Sequence, residues 1–157
     1  MNKTVEESKV EWMKIIKYED INPINSLFGG RLLSWMDEIA GITAIRHAGI
    51  PVTTAAIDNL QFKKRVLLGE IIAIVAKVTY VGRTSMEIRV DVFREDAKTG
   101  ERSPVNRAYF TEVCIGEDGK PIPVPFGLTL TTESERADYE GAKKRIENRK
   151  IRGQEGF

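Results

Sequence analysis

The sequence predicts an α+β domain in which one long helix is followed by a mainly antiparallel sheet. Three observations lead to this class: a proline-free, apolar-rich stretch at residues 31–47, several later segments with alternating apolar and polar residues, and glycine-containing breaks between those segments. A helix repeats its apolar residues every three to four positions, whereas a strand alternates them. A run of strands after a single helix is typical of a sheet that wraps against that helix.

Each element can be justified in chain order. Residues 10–18 mix β-branched, aromatic and charged side chains, which predicts a first strand. A turn-rich stretch then leads to helix 31–47, which Gly49 and Pro51 are expected to end. Alternation predicts four further strands, and in the third of them the apolar residues share one face. These strands span residues 52–62, 70–81, 84–94 and 104–115, and the shared face carries Met86, Ile88, Val90 and Val92.

The chain is expected to form one domain with a short appendage. Its 157 residues suffice for a single core of modest size. We predict that residues 1–131 form this domain and that residues 132–157 form a charged C-terminal tail. Because the tail has few apolar residues among many charged ones, we expect a weak surface helix without a core of its own.

The composition argues against several classes of protein. Lys and Arg number 24 against 23 Asp and Glu, a net charge of +1, whereas a protein that coats nucleic acid needs a clear basic excess. No apolar leader and no membrane-spanning stretch is visible, so we expect no membrane partner and a cytoplasmic location. With one histidine and one cysteine, Cys114, we expect no disulfide and no metal site. We also expect no cofactor. Cys114 itself is expected to be a small buried residue within a strand.

Asp37 is the first candidate for chemistry. At about 100° per residue, the apolar residues of helix 31–47 form one broad arc, and Asp37 falls at its margin while Glu38 falls on the polar side. A carboxylate at an apolar boundary is costly to desolvate unless a partner or a reaction uses it. Two interpretations stay open at this point: Asp37 acts on a substrate, or it is exposed or paired with a basic side chain.

Gly29 and Gly30 are the second candidate. They precede the predicted helix, where the first backbone N–H groups lack partners within the helix. These donors, with the positive end of the helix dipole, suit a carbonyl oxygen that gains negative charge, and glycine permits its close approach. A tight turn into the helix is the alternative interpretation. With the carboxylate about two turns along the same helix, the pair could form an acyl-transfer site.

This part of the sequence resembles the signature of hotdog-fold acyl-CoA hydrolases, most closely the YciA-like and brain-type cytosolic thioesterases. The resemblance rests on Phe28-Gly29-Gly30, on Asp37-Glu38 after six intervening residues, and on Asn22 upstream. It covers roughly residues 8–125 and implies the hotdog fold, in which an antiparallel sheet wraps one central helix. Further matches follow in order at Thr54, Phe62, Gly69, Gly82 to Met86, and Asp118 to Pro121.

The resemblance also implies roles for single residues. Asp37 would activate water or attack the thioester carbonyl itself, and Gly29 or Gly30 would polarise that carbonyl. Asn22 would act across a dimer interface to position water or the thioester. Thr54 would lie on the strand beneath the helix. The segment that meets the coenzyme A nucleotide would comprise Gly82, Arg83, Thr84 and Ser85.

Two positions depart from the family pattern, and one further residue needs placement. Family members often carry glycine where this chain has Asn25, and they carry proline where Arg65 follows Phe62-Lys63-Lys64. The additional basic run is expected either to favour coenzyme A phosphates or to be a solvated loop. His47, the only histidine, is expected to cap the helix end or to lie at the surface.

The predicted function is hydrolysis of a fatty acyl-CoA to a free fatty acid and coenzyme A. Two alternatives stay open: a non-catalytic acyl-CoA-binding sensor, and a hotdog dehydratase, for which His47 is poorly placed. Since hotdog proteins of this kind bind substrate between protomers, we expect a homo-oligomer, at least a dimer. The resemblance further implies a hexamer built as a trimer of dimers.

Overall fold

The computed structural model describes every residue from Met1 to Phe157. Its long central helix begins at Gly29, two residues before the predicted start, and ends at Ala48, where Gly49 adopts a left-handed conformation with φ of 71°. The helices are α1 (Val5–Ser8), α2 (Gly29–Ala48) and α3 (Glu133–Glu155). The strands are β1 (Asn2–Thr4), β2 (Val10–Ile15), β3 (Val52–Asp58), β4 (Ile71–Val81), β5 (Ser85–Glu95), β6 (Arg102–Cys114) and β7 (Gly127–Thr129).

Five strands form one sheet in the order β2-β4-β5-β6-β3, and every neighbouring pair is antiparallel. The helix α2 packs against all five strands of this sheet. A separate two-stranded parallel pair, β1 with β7, ties the two ends of the domain together. The predicted α+β class and the order of the main elements are therefore confirmed.

The core lies between α2 and one face of the sheet. Met36, Ala40 and Ala44 of the predicted helix arc are completely buried. The four residues predicted to share a face of β5 are buried as well, which confirms that alternation. Burying an aliphatic side chain of this size contributes about 1.5–3 kcal/mol. The sheet contributes its buried side chains mainly from β4, β5 and β6, at Ile72, Ile74, Ala76, Val78, Met86, Ile88, Val90, Val92, Ala108, Phe110 and Cys114.

Several predicted boundaries were wrong by a few residues. The first strand ends at Ile15, because the chain turns into a short 3-10 helix at Tyr18–Asp20. Asp20 stabilises this turn by accepting a hydrogen bond from the Lys17 N–H at 2.9 Å. Strand β3 ends at Asp58, because Asn59 adopts a positive φ of 63° that breaks the extended conformation. The short elements β1, α1 and β7 were not predicted.

The charged C-terminal segment forms the helix α3, which lies on the face of the sheet opposite to α2. Ala142 is buried there, and the ring of Tyr139 packs against the ring of Tyr80 with centroids 4.9 Å apart. Thr132 caps the start of α3 by accepting a hydrogen bond from the Glu135 N–H. Ion pairs between α3 and the sheet supply further contacts. The predicted domain boundary at residue 131 stays a prediction.

Cys114 and His47 are both buried, although only one of them was expected to be. Cys114 is fully buried, as expected, and burial raises the pKa of its thiol. The expectation of a surface position for His47 was wrong. Its side chain is fully buried, and its Nε2 lies 3.0 Å from the Phe126 carbonyl oxygen. Burial lowers the pKa of His47. None of the helices combines the length and apolar character that a membrane span requires.

Candidate active site

Asp37 lies within a three-residue cluster. Its side chain is half-buried on α2, whereas Glu38 is exposed. The hydroxyl of Thr54 on β3 lies 2.6 Å from Asp37 Oδ1 and 2.9 Å from Oε1 of Glu112 on β6. No ion pair to a basic side chain holds Asp37. Within this chain, Asp37 is therefore held by a threonine hydroxyl and not by a basic side chain.

Glu112 is the buried member of this cluster and is only 1% exposed. Burial raises its pKa to about 7, the hydrogen bond with Thr54 opposes that rise, and the charge of Asp37 adds to it. Removal from water disfavours the charged carboxylate, and a nearby negative charge disfavours it further. A carboxyl group whose pKa lies near neutrality, next to a second carboxyl group, is typical of a functional site.

Strand pairing brings the cluster together. Thr54 on β3 and Glu112 on β6 are register partners in the antiparallel ladder, so their side chains lie side by side on the face that α2 covers. The register shifts between Thr54 and Ala56. Such a bulge bends the strand and changes the direction of the side chains beside it. The threonine hydroxyl that contacts Asp37 therefore lies at an irregular point of the sheet.

Asn22 organises the loop before α2. Its Oδ1 accepts hydrogen bonds from the Ile24 N–H at 3.0 Å and the Ser26 N–H at 3.1 Å. Because a backbone N–H can only donate, the amide oxygen must face the loop. The Nδ2 group then points away from it and donates to no atom of this chain. Asn22 therefore offers a free donor at the edge of a cavity of about 330 Å³.

Gly29 and Gly30 form the first residues of α2. The Arg31 and Leu32 N–H groups donate to the Phe28 carbonyl, whereas those of Gly29 and Gly30 find no backbone acceptor. Gly29 lines the same cavity as Asn22, and Gly30 lines a separate shallow groove beside Phe28. A Cβ at Gly30 would lie 2.9 Å from the Phe28 ring. Of the two glycines, Gly29 is the one that shares a cavity with a second free donor.

One chain does not bring these donors to Asp37. Gly29 and Asp37 lie eight residues apart on α2, and a rise of 1.5 Å per residue separates them by about 12 Å. A thioester carbonyl cannot contact both groups across that distance. The candidate site of a single chain is therefore divided into two halves, a donor half with Asn22 and Gly29 and an acid half with Asp37, Thr54 and Glu112.

The turn between β4 and β5 holds the four residues expected to meet a nucleotide. The Gly82 N–H donates to the Ser85 carbonyl at 2.8 Å, which closes the turn. The Arg83 guanidinium is exposed and pairs with no carboxylate of the chain. Ser85 is the register partner of Val113, the residue after Glu112. The turn therefore lies at the end of the sheet that carries the acid half.

The two departures from the family pattern have structural explanations. Asn25 adopts a positive φ of 60°, a conformation that glycine adopts freely and asparagine tolerates. In the basic run, the Arg65 guanidinium donates to the Ile24 carbonyl at 2.6 Å and Lys64 Nζ donates to the Pro104 carbonyl at 2.9 Å. These two cations fasten the loop to its neighbours, while the Phe62 ring lies 3.5 Å from the position of a Cβ on Gly29.

Comparison with known proteins decides the family. The thioesterase superfamily model matches residues 24–101. An uncharacterized acyl-CoA thioester hydrolase of Bacillus subtilis, YkhA, is 38% identical over 93% of this chain and 84% of its own length. The chain belongs to the thioesterase superfamily. The recognition made from the residues around Asp37 is thereby confirmed.

Solved structures of thioesterases share the fold. The acyl-CoA hydrolase of Staphylococcus aureus, in complex with butyryl coenzyme A, coenzyme A and coenzyme A disulfide, matches with a TM-score of 0.92 and 36% identity over 99% of this chain and 94% of that one. A hexameric acyl-CoA thioesterase, solved without ligand, matches with a TM-score of 0.91 and 39% identity over 97% of both chains. The hotdog fold of this thioesterase is confirmed.

Three variants of the Staphylococcus aureus hydrolase have also been solved. They replace an asparagine, an aspartate and a threonine by alanine, at positions 15 and 17 residues apart. Asn22, Asp37 and Thr54 have the same two separations in this chain.

Glu112 is the residue of the cluster that the sequence did not single out. The sequence does contain an indication of its importance. Glu112 lies between Phe110 and Cys114 at alternate positions of the predicted strand, so the strand face that carries it is otherwise apolar there. A glutamate on the core-facing side of a strand is unusual unless it is paired or used. No group of three or more His, Cys, Asp or Glu side chains lies together in a way that could hold a metal ion.

Proposed function

We propose that this thioesterase hydrolyses fatty acyl-CoA at a site shared by two protomers, with Asp37 of one facing Asn22 and Gly29 of the other. The observation that carries the proposal is the division of the site. Free donors and a held carboxylate lie about 12 Å apart on one helix, and both are of the kind that thioester hydrolysis needs. Two copies related by a two-fold axis bring opposite halves together twice.

The donor half activates the thioester carbonyl towards attack. The Gly29 N–H donates to the thioester carbonyl oxygen, and the helix dipole favours the negative charge that develops there. The Nδ2 group of Asn22 orients the water or the thioester from the same cavity. Each of these donors is without an acceptor in the chain, so substrate binding breaks no internal hydrogen bond.

The acid half supplies the attacking group. The Thr54 hydroxyl donates a hydrogen bond to Asp37 Oδ1. The other oxygen, Oδ2, is left to take a proton from water or to attack the carbonyl carbon itself. When water attacks, the tetrahedral oxyanion expels the coenzyme A thiolate and leaves the carboxylic acid. When Asp37 attacks, expulsion of the thiolate leaves a mixed anhydride with Asp37, which water then hydrolyses to the carboxylic acid and the free Asp37 carboxylate. A single turnover in heavy-oxygen water separates the routes, because only direct attack places the label in the carboxylate of Asp37.

The nucleotide of coenzyme A is proposed to bind at the turn from Gly82 to Ser85. The support is the unpaired Arg83 guanidinium, together with the Thr84 and Ser85 hydroxyls beside it. Guanidinium and hydroxyl groups suit phosphate oxygens. No further cofactor enters this scheme, because coenzyme A is part of both substrate and product.

The relatives favour hydrolysis over the two alternatives. The relative from Bacillus subtilis is named a thioester hydrolase, and the matching solved structures are of hydrolases or thioesterases. A dehydratase that relies on histidine lacks support, since His47 is buried against the Phe126 carbonyl. The hexamer of the ligand-free relative supports a hexameric assembly for this chain, in which each dimer holds two sites. A cytoplasmic location stays a prediction.

Subunit complementation tests the shared site. Asp37→Ala and Asn22→Ala should each lower kcat for a medium-chain acyl-CoA by on the order of 10²–10⁴, because each removes one half of both sites. When the two inactive variants are mixed, unfolded and refolded together, mixed dimers should contain one intact site. Release of coenzyme A should then recover to roughly a quarter of the wild-type rate, since half the dimers are mixed and each has one of two sites.

Glu38→Ala is the matched control, because Glu38 neighbours Asp37 on α2 but is exposed. It should leave kcat within about twofold of the wild type. Near-normal turnover by Asp37→Ala would overturn the role of Asp37. Inactive single variants that never complement in the mixture would place both halves of the site on one protomer.

A further inference from the structure

A single hydrogen atom must serve two acceptors in the acid half. The Thr54 hydroxyl lies 2.6 Å from Asp37 Oδ1 and 2.9 Å from Glu112 Oε1, and a threonine hydroxyl carries one hydrogen. If both carboxyl groups were ionised, one of these contacts would bring two oxygen atoms together without a hydrogen between them. The arrangement is satisfied only when one of the two carboxyl groups carries a proton.

The surroundings decide which group carries it. Asp37 is half-buried and its Oδ2 is free, whereas Glu112 is 1% exposed. Glu112 meets the carboxylate of Asp37 from α2 and the neutral Thr54 from β3. Its register partner on β5 is Met86, and Cys114 lies two positions further along the same face of β6. No cation forms an ion pair with Glu112 from any of these elements.

We propose that Glu112 is protonated in the active form of the site and acts as a positioning residue, donating to Thr54 so that Thr54 donates its only hydrogen to Asp37. The proposal rests on Asp37 as the acid of the proposed function. The hydrogen bond from Thr54 thereby fixes Oδ1 of Asp37 and leaves Oδ2 directed at the substrate. Burial, which raises the pKa of Glu112 to about 7, agrees with this proton assignment.

Ionisation of Glu112 would break this chain of hydrogen bonds from Glu112 through Thr54 to Asp37, here called the relay. An ionised Glu112 accepts the hydrogen of Thr54, so that Asp37 loses its donor and gains a second negative charge beside it. The kcat/KM of the wild type should therefore fall above the pKa of Glu112, by at most about tenfold per pH unit, and level off at the lower value of a site in which Thr54 no longer donates to Asp37. Glutamine cannot ionise, and its amide donates to Thr54 as a protonated glutamate does.

The test compares pH profiles of kcat/KM for the wild type and Glu112→Gln. The variant should keep kcat/KM within about tenfold of the wild type at neutral pH and should lack the wild-type loss at alkaline pH. In a Thr54→Val background, where the relay is already broken, Glu112→Gln should change kcat/KM no further. If Glu112 had only a structural role, Glu112→Gln would still lose kcat/KM at alkaline pH as the wild type does, and that result would overturn the proposal. Independent effects of Thr54→Val and Glu112→Gln on kcat/KM would overturn it as well.

A second readout needs neither a variant nor activity. Carbon-13 spectra of the wild type with labelled glutamate side chains should show one carboxyl group that titrates near neutrality, far above the usual range of glutamate. If every glutamate titrates in the ordinary range, Glu112 holds no proton and the proposal fails. Failure of the proposed function is distinguishable, since activity of the Asp37→Ala variant would refute the role of Asp37 without changing the titration of Glu112 in the wild type.

Discussion

Both faces of the sheet bury carboxylates, but the two faces treat them in opposite ways. On the face that α3 covers, Glu87 is 4% exposed and accepts two hydrogen bonds from the Arg145 guanidinium, at 2.7 and 2.9 Å. Asp58, 7% exposed, accepts from both Arg149 and Arg152 at 2.7 Å. On the face that α2 covers, Glu112 is more deeply buried than either and meets no cation.

The difference separates buried acids that are paired with arginine from a buried acid that has no cation beside it. A buried carboxylate with an arginine partner is held ionised, and its charge is balanced by hydrogen bonds. A buried carboxylate without one keeps its proton until the pH approaches neutrality, and its charged form destabilises the fold. The paired acids therefore fasten α3 to the sheet, whereas the unpaired acid beside Asp37 retains a protonation equilibrium within the physiological range.

The largest expected effect on stability comes from removing the ionisable group of Glu112. The pKa of this group is raised from 4.5 to about 7 in the fold, so the folded protein loses stability as pH rises from the unfolded value through the folded one. A pKa difference of one between the folded and unfolded states corresponds to about 1.4 kcal/mol of stability. Glu112→Gln should therefore be more stable than the wild type by up to about 3 kcal/mol at pH 8.

The stability difference between Glu112→Gln and the wild type should vanish in acid. Below about pH 4.5, glutamate is protonated in both states, so the two proteins should unfold at the same urea concentration. Urea unfolding at several pH values gives the comparison. A variant that is less stable than the wild type at alkaline pH would mean that the ionised carboxylate finds a partner, which would remove the contrast between the two faces.

A smaller effect of opposite sign is expected at Glu87. Glu87→Gln removes the charge that Arg145 neutralises, and a hydrogen bond to a charged group contributes about 1.5–3 kcal/mol. We expect a loss of that size, with hydrogen exchange accelerated throughout α3. Glu140→Gln is the matched control, since Glu140 pairs with Lys143 at the exposed surface of the same helix. If Glu140→Gln lowered the free energy of unfolding as much as Glu87→Gln does, burial would not govern the strength of these ion pairs.

The smallest effect is expected at Asp58. Its partners Arg149 and Arg152 are 30% and 42% exposed, against 16% for Arg145, so water and salt screen these pairs more strongly. Asp58→Asn should lower the free energy of unfolding by about 1 kcal/mol, and the loss should shrink in high salt. Measurement of both losses at low and high salt ranks the pairs, and a salt-independent loss at Asp58 would contradict the screening argument.

Local patterns in the sequence were sufficient to predict most of the fold. Periodicity identified α2 and four of the five strands of the main sheet, because burial on one face leaves a repeat of 3.6 or of two residues. The placement of Asp37 at the margin of the apolar arc agrees with its half-buried position. The family signature selected Asn22, Asp37 and Thr54, whose roles stay proposals.

Contacts between distant segments were not accessible in the same way. The pairing of Thr54 with Glu112 joins residues 58 positions apart and depends on strand register, which a single sequence does not encode locally. The burial of His47 depends on the carbonyl of Phe126, which a helical wheel cannot supply. The ion pairs of α3 were missed for the same reason, since a charged helix resembles a solvated one until its partners are known.

Thr54 lies on β3, one of the two border strands of the main sheet, so the proposed acid half lies at an edge of that sheet. The backbone N–H and C=O groups on the outer side of such a strand have no partner within their own sheet, so they are able to pair with another chain. Proline or charged residues introduced into β3 to prevent such pairing and obtain a monomer would also distort the bulge beside Thr54. Under the proposed function, a change made to this border strand in order to alter the assembly would therefore also alter the surroundings of Asp37.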